Sequence, residues 1–209
     1  MKRPKYLDEI KVRIEADDPG TIFITADLLD IAPTAAVNKA LSRLVASNQL
    51  RRIDRGLYEL PKYNTFLEEY VAPDPQKAAA ALARNYGWTI APCGDTALNL
   101  LGLSTQVPAV WSYVSDGPYK RYAFDGFQLE FKHRANKETS RLSPISILVI
   151  QAFKNLGKTS ITNSILQKLA ATLSSSDKQI LLKETKNASA WIYEYIKKIC
   201  KNEDFICKE

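Results

Sequence analysis

The sequence predicts an α+β fold, on three observations. Near the N-terminus, apolar residues at helical spacing precede a hairpin pattern. In the middle of the chain, apolar and polar residues alternate as they do in strands, and in the last third the apolar residues return to helical spacing. A chain of 209 residues with 45% hydrophobic composition can bury the core of one or two domains. We expect a helix-and-hairpin domain over residues 1–62, a connector over 63–75, and an α+β domain over 76–209 that ends in a helical subdomain from about residue 143.

The N-terminal segment predicts two short helices. Ile10 and Ile14 lie at helical spacing among charged residues, which predicts a first helix over residues 4–16. Thr25 is expected to cap a second helix that ends before Pro33, because the residue before a proline avoids the helical conformation.

A third helix and a hairpin follow directly. Thr34 is expected to cap the helix, and residues 50–61 alternate around the turn signal Asp54-Arg55-Gly56, which predicts a β-hairpin. Five apolar residues of the helix fall at the spacing of one buried stripe. They are Val37, Ala40, Leu41, Leu44 and Val45.

The next segment is punctuated by prolines and glycines. Three prolines within residues 61–75 indicate a connector of mixed order. An alanine-rich helix over 76–86 is expected to end at Gly87, and a short helix further on is expected to begin with Asp95 as its cap and to end at Gly102.

The remainder of the chain predicts strands and then helices. Residues 110–114 and 122–131 alternate as strands, the latter around an Asp125-Gly126 turn, and predict a small antiparallel sheet. After Ser143 the spacing is helical, and the apolar stripe that begins at Trp191 is expected to be core. The expected helices are 144–156, 160–172, 175–186 and 188–201.

Composition argues against several classes of function. No apolar stretch approaches the roughly 20 residues that span a bilayer, and the start of the chain lacks a signal-peptide core, so we expect a cytoplasmic protein without membrane contact. Cys93, Cys200, Cys207 and the single His133 lack the spacing of metal ligands or of a redox pair, which predicts no metal and no cofactor. Because no nucleophile accompanies His133, we expect no enzyme.

The net charge of +6 is unevenly distributed along the chain. Residues 1–64 carry 11 basic and 9 acidic side chains, residues 65–140 carry 7 and 8, and residues 141–209 carry 11 and 6. A basic surplus suits a nucleic-acid binder but is also common in proteins that bind nothing anionic. The C-terminal lysines fit either a solvated surface or an extended contact with phosphates.

The order of the N-terminal elements is that of a winged helix-turn-helix, in which the third helix enters the major groove and the hairpin lies along the backbone. The helix face opposite the apolar stripe is small, polar and basic. Small residues let a helix approach base edges, asparagine can pair with adenine, and lysine or arginine can reach guanine or a phosphate. The predicted DNA-contacting residues of this helix are Thr34, Ala35, Asn38, Lys39, Ser42 and Arg43.

The predicted hairpin adds three guanidinium groups. Arg51, Arg52 and Arg55 flank Gly56, where a wing meets phosphates or the minor groove. Such contacts weaken as the salt concentration rises. The alternative is that these charges form a solvated surface and that the domain binds other proteins.

These segments resemble the N-terminal domain of AbiEi-type antitoxins of type IV toxin–antitoxin systems. Residues 87–108 and 115–134 are similar to a related family that is grouped with those antitoxins. The resemblance covers roughly residues 5–155 and implies a transcriptional repressor that binds operator DNA upstream of its own operon and counteracts a nucleotidyltransferase-type toxin. The segments that carry it at the N-terminus are Asp27-Leu28, Val37-Asn38-Lys39-Ala40-Leu41-Ser42-Arg43-Leu44, Leu50-Arg51-Arg52-Ile53, Arg55-Gly56-Leu57-Tyr58 and Pro61.

The resemblance implies two kinds of partner, double-stranded DNA with operator repeats and the toxin, and we also consider a homodimer on DNA. The segment with Asp116, Tyr119, Lys120 and Arg121 is the predicted partner-binding loop, although its composition fits a plain turn as well. The alternative function is a protein-interaction module that binds a toxin or another partner without binding DNA.

Overall fold

The computed structural model describes residues 5–124, 126–134 and 142–201, and the chain divides into two compact units. One unit contains Met1–Trp88 and Ala123–Gln128, and the other contains Thr89–Tyr122 and Leu129–Glu209. Both units contain helices and strands, which confirms the predicted α+β class. Asp125, a predicted turn residue, and Cys207 lie outside the described residues.

The N-terminal unit packs helices beside a three-stranded antiparallel sheet. Ile10, Ile14 and Leu41 are buried in its core, and each buried aliphatic side chain contributes about 1.5–3 kcal/mol. In this sheet β3 lies between β1 and β2, so the strand order is β1-β3-β2. The elements are α1 (Tyr6–Glu15), β1 (Ile22–Ile24), α2 (Thr34–Ala46), β2 (Arg51–Asp54), β3 (Leu57–Glu59), β4 (Tyr63–Asn64), β5 (Glu69–Tyr70) and α3 (Pro75–Tyr86).

The predicted second helix is wrong. The structure has a single 3-10 turn at Thr25–Leu28, in which the carboxylate of Asp27 accepts the Ile24 N–H at 2.9 Å, so Thr25 is not the cap. Leu28 is buried but Leu29 is exposed, and this segment therefore lacks the apolar stripe that would hold a full α-helix against the core.

The third predicted helix and the hairpin are confirmed as α2 and as the antiparallel pair β2–β3. The expected cap of α2 is wrong, because Pro33, fixed in an extended conformation with φ −58° and ψ 149°, occupies the cap position and Thr34 is the first helical residue. Asp74 caps α3 by accepting the Gln76 N–H at 2.8 Å, and Gly87 ends it with φ +67°.

The C-terminal unit begins with a sheet whose strand order is β6-β7-β9-β8. Strands β6 and β7 are antiparallel, but β7 and β9 are parallel, with Tyr113 opposite Phe131. The predicted small antiparallel sheet is thus present in part: β6 and β7 form an antiparallel pair, whereas β9 is parallel to β7 because the chain passes from β7 to the edge strand β8 and returns as β9 between them. The elements are β6 (Ile90–Pro92), α4 (Gly94–Leu100), β7 (Trp111–Ser115), β8 (Lys120–Phe124) and β9 (Phe127–His133).

Asp95 does not cap α4 as expected. Cys93 has the extended backbone of the cap position, with φ −143° and ψ 173°, and Asp95 falls in the first turn of the helix. There its Oδ1 accepts a hydrogen bond from Asn155 Nδ2 at 3.2 Å, and a carboxylate at this end also suits the helix dipole.

The helical subdomain surrounds a core that includes Phe153, Leu181 and Ile196. Ser143 caps the first helix, as the sequence predicted, and the residues of the terminal stripe pack on this core. The second helix starts at Asn163 rather than at 160, because the residues before it form a 3-10 turn. The helices are α5 (Pro144–Leu156), α6 (Asn163–Thr172), α7 (Ser175–Glu184) and α8 (Ala190–Lys201).

Within the described ranges, the helices are all too short or too polar to traverse a bilayer.

Candidate nucleic-acid interface

Helix α2 has one buried face and one exposed face. Val37, Leu41 and Leu44 are buried against the N-terminal core, and the helix contains no acidic residue. A step of 100° per residue places the polar residues on the other side. The six residues predicted to contact DNA are all exposed there: Thr34, Ala35, Asn38, Lys39, Ser42 and Arg43.

Hydrogen bonds orient the polar side chains of this face. Asn38 Oδ1 accepts a hydrogen bond from Thr25 Oγ1 at 3.0 Å, so its carbonyl group is fixed toward the 3-10 turn. Ser42 Oγ donates to the Asn38 main-chain carbonyl at 2.8 Å. Within the described part of the chain, Lys39 and Arg43 form no ion pair, so both charges are available to an anion.

Four residues separate the end of α2 from the start of the β2–β3 hairpin. Gly56 adopts φ +78° at the turn, a conformation that glycine tolerates readily, and Asp54 Oδ1 accepts the Arg55 N–H at 2.6 Å. Arg52 and Arg55 are exposed, and the only contact that either guanidinium makes among the described residues is from Arg52 Nε to the Asp54 carbonyl at 3.3 Å. The hairpin therefore presents two cationic side chains.

The third predicted wing residue, Arg51, has a different environment. Its Nε donates to Glu59 Oε2 at 2.7 Å, and its Nη2 donates to the same oxygen and, at 2.7 Å, to the Val71 carbonyl. Glu59 is almost completely buried, and burial raises its pKa although Arg51 acts to lower it. Arg51 thus compensates a buried carboxylate, and we remove it from the set of candidate DNA contacts.

Internal contacts also compensate one negative charge in the 3-10 turn before α2. Asp27, in the turn before the helix, accepts hydrogen bonds from the Ile24 N–H and from Arg84 Nη2 at 3.1 Å. The exposed charged residues of α2, of the hairpin and of the segment before α2 are therefore four cations, Lys39, Arg43, Arg52 and Arg55, and two carboxylates, Asp30 and Asp54.

A second cluster of charge lies in the C-terminal unit around Glu130, which sequence reasoning missed. Tyr119 Oη donates to Glu130 Oε1 at 2.6 Å, Arg121 donates to the same oxygen at 2.6 and 2.8 Å, and Lys132 Nζ lies 3.1 Å from Oε2. Burial raises the pKa of Glu130, but these hydrogen bonds outweigh it and lower the pKa to about 2. The signal was present in the sequence, because Glu130 stands in an apolar strand pattern.

The predicted partner-binding loop is thus tied to its own unit. Asp116 Oδ1 accepts the Thr89 N–H at 2.8 Å, and the Lys120 ammonium lies 5.1 Å from the centre of the Tyr122 ring. His133 Nδ1 donates to the Gly117 carbonyl at 2.9 Å. Two of the predicted residues, Tyr119 and Arg121, donate hydrogen bonds to Glu130, so this loop has a structural role.

A cleft of about 350 Å³ runs along β2 within the N-terminal unit. Ionisable and aromatic side chains line it together with small residues, and it lies beside Arg52. In the described ranges, no group of three or more histidine, cysteine, aspartate or glutamate side chains has the geometry of a metal site. The lining residues are Arg51, Arg52, Ile53, Tyr70, Ala72, Pro73, Phe124 and Gly126.

The chain matches a protein-family model and a solved structure. A family model described as a family of unknown function, DUF6088, matches residues 9–181. The fold is similar to the crystal structure of the RV2827C protein from Mycobacterium tuberculosis, with 16% sequence identity and a TM-score of 0.47 over 96% of this chain and 78% of that chain. No protein with curated annotation gives a significant match.

Proposed function

The chain belongs to the DUF6088 family, whose function is unknown, and we propose that it is a DNA-binding transcriptional repressor whose N-terminal unit is a winged helix-turn-helix. The order of elements supports this proposal. A 3-10 turn and α2 stand where a helix-turn-helix has its two helices, and the β2–β3 hairpin follows as the wing. The pairing of β1 with β3 joins the wing to the segment before the turn.

In this proposal α2 enters the major groove. Thr34 and Ala35, at its N-terminal end, are small enough for close approach to the bases, and Asn38 offers its amide to adenine. Lys39, Ser42 and Arg43 contact base edges or phosphates further along the helix. The observation that carries the proposal is the exposed face of α2, which is free of acidic residues and leads directly into a hairpin with two available arginines.

The wing in this proposal contacts phosphates through Arg52 and Arg55. Contacts of this kind give affinity without sequence preference, whereas the helix supplies the preference. The resemblance to AbiEi-type antitoxins extends the proposal to the partners: operator repeats upstream of its own operon, and a nucleotidyltransferase-type toxin that the protein counteracts.

The first test is an anisotropy titration of the full chain with labelled DNA from upstream of its own gene, with scrambled DNA as competitor. We expect preferential binding that weakens steeply as salt increases. Charge reversal of Arg52→Glu with Arg55→Glu should reduce operator affinity at least about a hundredfold, because two attractive contacts with phosphates become repulsive.

The matched control reverses two lysines elsewhere, Lys168→Glu with Lys183→Glu, which are exposed on the C-terminal helices and change the net charge equally. The control should retain most of the affinity. Equal losses in the two variants would indicate that only the total charge matters and would overturn the assignment of the wing. A wild-type chain that does not distinguish operator from scrambled DNA would overturn the repressor proposal.

The antitoxin part is tested by co-expression with the product of the neighbouring gene. If the proposal is correct, growth is inhibited by that product alone and restored by the full chain. Restoration by the Arg52→Glu, Arg55→Glu variant would separate the antitoxin action from DNA binding, and no restoration by the wild type would exclude the antitoxin action.

A further inference from the structure

The hairpin formed by β4 and β5, a feature the sequence analysis assigned to a connector, exposes large apolar side chains. Phe66 at its tip is 91% exposed, its neighbour Leu67 is 57% exposed, and Tyr63 and Tyr70 on the strands are also exposed. Single exposed apolar residues are ordinary on protein surfaces, but a contiguous group of this kind marks an interaction site.

This hairpin is built to hold its tip in one conformation. Asn64 Oδ1 accepts the N–H groups of Phe66 and Leu67 at 2.9 and 3.2 Å, and Glu68 adopts a left-handed conformation with φ +54°. The rings of Tyr63 and Tyr70 pack edge to face at 5.2 Å. A fixed tip loses little conformational entropy when it binds, which favours a docking role.

The base of the hairpin is fastened as well. The Val71 N–H donates to the Lys62 carbonyl at 2.9 Å, and the Val71 carbonyl accepts from Arg51 Nη2 at 2.7 Å. Because Arg51 is also bound to the buried Glu59, the hairpin is attached to the core of its unit. The exposed tip is therefore a fixed projection of a folded unit.

The negative charge of the β4–β5 hairpin indicates which kind of partner it binds. Glu68 and Glu69 follow the apolar tip directly, and these carboxylates would be repelled by DNA phosphates. A wedge between bases is normally surrounded by cationic side chains, which this tip lacks. The complementary surface is apolar or aromatic with a cationic border, and it belongs to a protein.

A surface of that composition occurs in the same sequence, on the C-terminal helices. The partly exposed rings of Trp191 and Tyr195 have their centres 6.4 Å apart, and Lys198 Nζ lies 5.5 Å from the centre of the Tyr195 ring. Tyr195 Oη donates to the main-chain carbonyl of Lys158 at 3.2 Å, and the exposed carboxylate of Glu194 on the same helix is paired with Lys197 Nζ at 2.7 Å. Residues 141–209 as a whole carry 11 basic and 6 acidic side chains.

We propose that the β4–β5 hairpin of one copy docks on the Trp191–Tyr195–Lys198 surface of a second copy of the chain. Phe66 and Leu67 then pack on the aromatic rings, while Glu68 and Glu69 face Lys198. Burial of these apolar side chains favours association. The proposal requires no DNA and is independent of the repressor assignment.

The test is sedimentation equilibrium of the full chain without DNA, from micromolar to submillimolar concentration. We expect a monomer–dimer equilibrium, and we expect Phe66→Ser with Leu67→Ser to raise the dimer Kd at least about tenfold, because an apolar anchor is removed. The matched control is Val12→Ser with Val107→Ser, two exposed apolar residues elsewhere, which should leave the Kd unchanged. Circular dichroism establishes that every variant is folded.

A charge exchange identifies the second surface. Glu68→Lys and Lys198→Glu should each weaken the dimer several-fold, and the two together should recover part of the loss. A wild type that stays monomeric at the highest concentration would overturn the proposal, and a hairpin variant with an unchanged Kd would do the same. If the wild type is monomeric and the variant Phe66→Ser, Leu67→Ser loses operator affinity, the tip contacts DNA instead.

Discussion

Two hairpins of this protein carry clustered cations but use them differently. In the β8–β9 hairpin, Arg121 and Lys132 both bind the buried carboxylate of Glu130. In the β2–β3 hairpin, the buried Glu59 engages Arg51 alone, and Arg52 and its neighbour at the turn remain exposed. A count of basic residues therefore does not predict a binding surface, because a carboxylate on an inward-facing strand position decides which cations stay available.

The two carboxylates also differ in how well their burial is compensated. Four side chains with positive charge or a hydroxyl group bind Glu130, namely Ser112, Tyr119, Arg121 and Lys132, and its pKa falls to about 2. Glu59 has one cationic partner in direct contact, and burial keeps its pKa above the usual value. Several partner side chains offset the loss of hydration, whereas one partner side chain does not.

The largest effect is expected where the one cationic partner of Glu59 is removed. Arg51→Met leaves the buried Glu59 without its ion pair and should reduce the free energy of unfolding by about 3 kcal/mol, near the lower end for a broken buried pair because the Arg51 side chain is 32% exposed. Arg52→Met, the adjacent control, should change it by no more than about 0.5 kcal/mol. Urea denaturation of both variants measures the difference, and similar values for the two would contradict the distinction between these arginines.

A somewhat smaller effect is expected from Glu130→Gln, which keeps the shape of the side chain but removes its charge. The lowered pKa corresponds to about 2 to 3 kcal/mol of stability at neutral pH. In the wild type this contribution is present above the usual carboxylate pKa and is lost as the pH falls through about 4.5 toward about 2.

Denaturation of wild type and Glu130→Gln across that acidic range measures this contribution. The difference between the two proteins should disappear at the acidic end. For Glu59 the sign is opposite: its raised pKa means that stability is lost as the pH rises through the folded-state value, so Glu59→Gln should not show the acid-dependent loss. A difference for Glu130→Gln that does not depend on pH would refute the proposed ionic network.

The smallest of these effects is a change in DNA affinity, and its measurement compares the β2–β3 hairpin with the β8–β9 hairpin. Under the repressor proposal, Arg52→Gln with Arg55→Gln removes two contacts with phosphates, so the slope of log K against log salt should become shallower by about 2 and the affinity should fall roughly tenfold. Arg121→Gln with Lys132→Gln should leave the slope as it is. Anisotropy titrations at several salt concentrations measure both, and a reversed outcome would place the DNA contact on the other hairpin.

Local signals were sufficient for much of the fold. The stripe of α2, the cap at Ser143 and the left-handed end of α3 at Gly87 were predicted because each depends on a few neighbouring residues. The parallel pairing of β7 with β9 was not, because it depends on where a strand returns in the sheet. The β4–β5 hairpin escaped prediction because its strands have two residues each and its turn uses Glu68 rather than glycine in the left-handed conformation.

The candidate site was predictable to a similar extent. Exposure of Asn38, Lys39 and Arg43 followed from helical periodicity. The commitment of Arg51 to Glu59 depends on a cross-strand pair, and alternation along β2 could have suggested it by placing Arg51 and Arg52 on opposite faces. Sequence periodicity thus located the exposed side chains but did not identify which charges are internally compensated.

The N-terminal unit consists of two separate stretches of chain, and this has a consequence for inheritance. The polypeptide passes from one unit to the other three times, after residues 88, 122 and 128. A gene fragment that encodes only the first stretch omits Phe124 and Gly126, which line the cleft along β2. Recombination at a single point therefore cannot transfer this unit without also carrying residues 89–122 of the other unit, and we expect the two units to be inherited together.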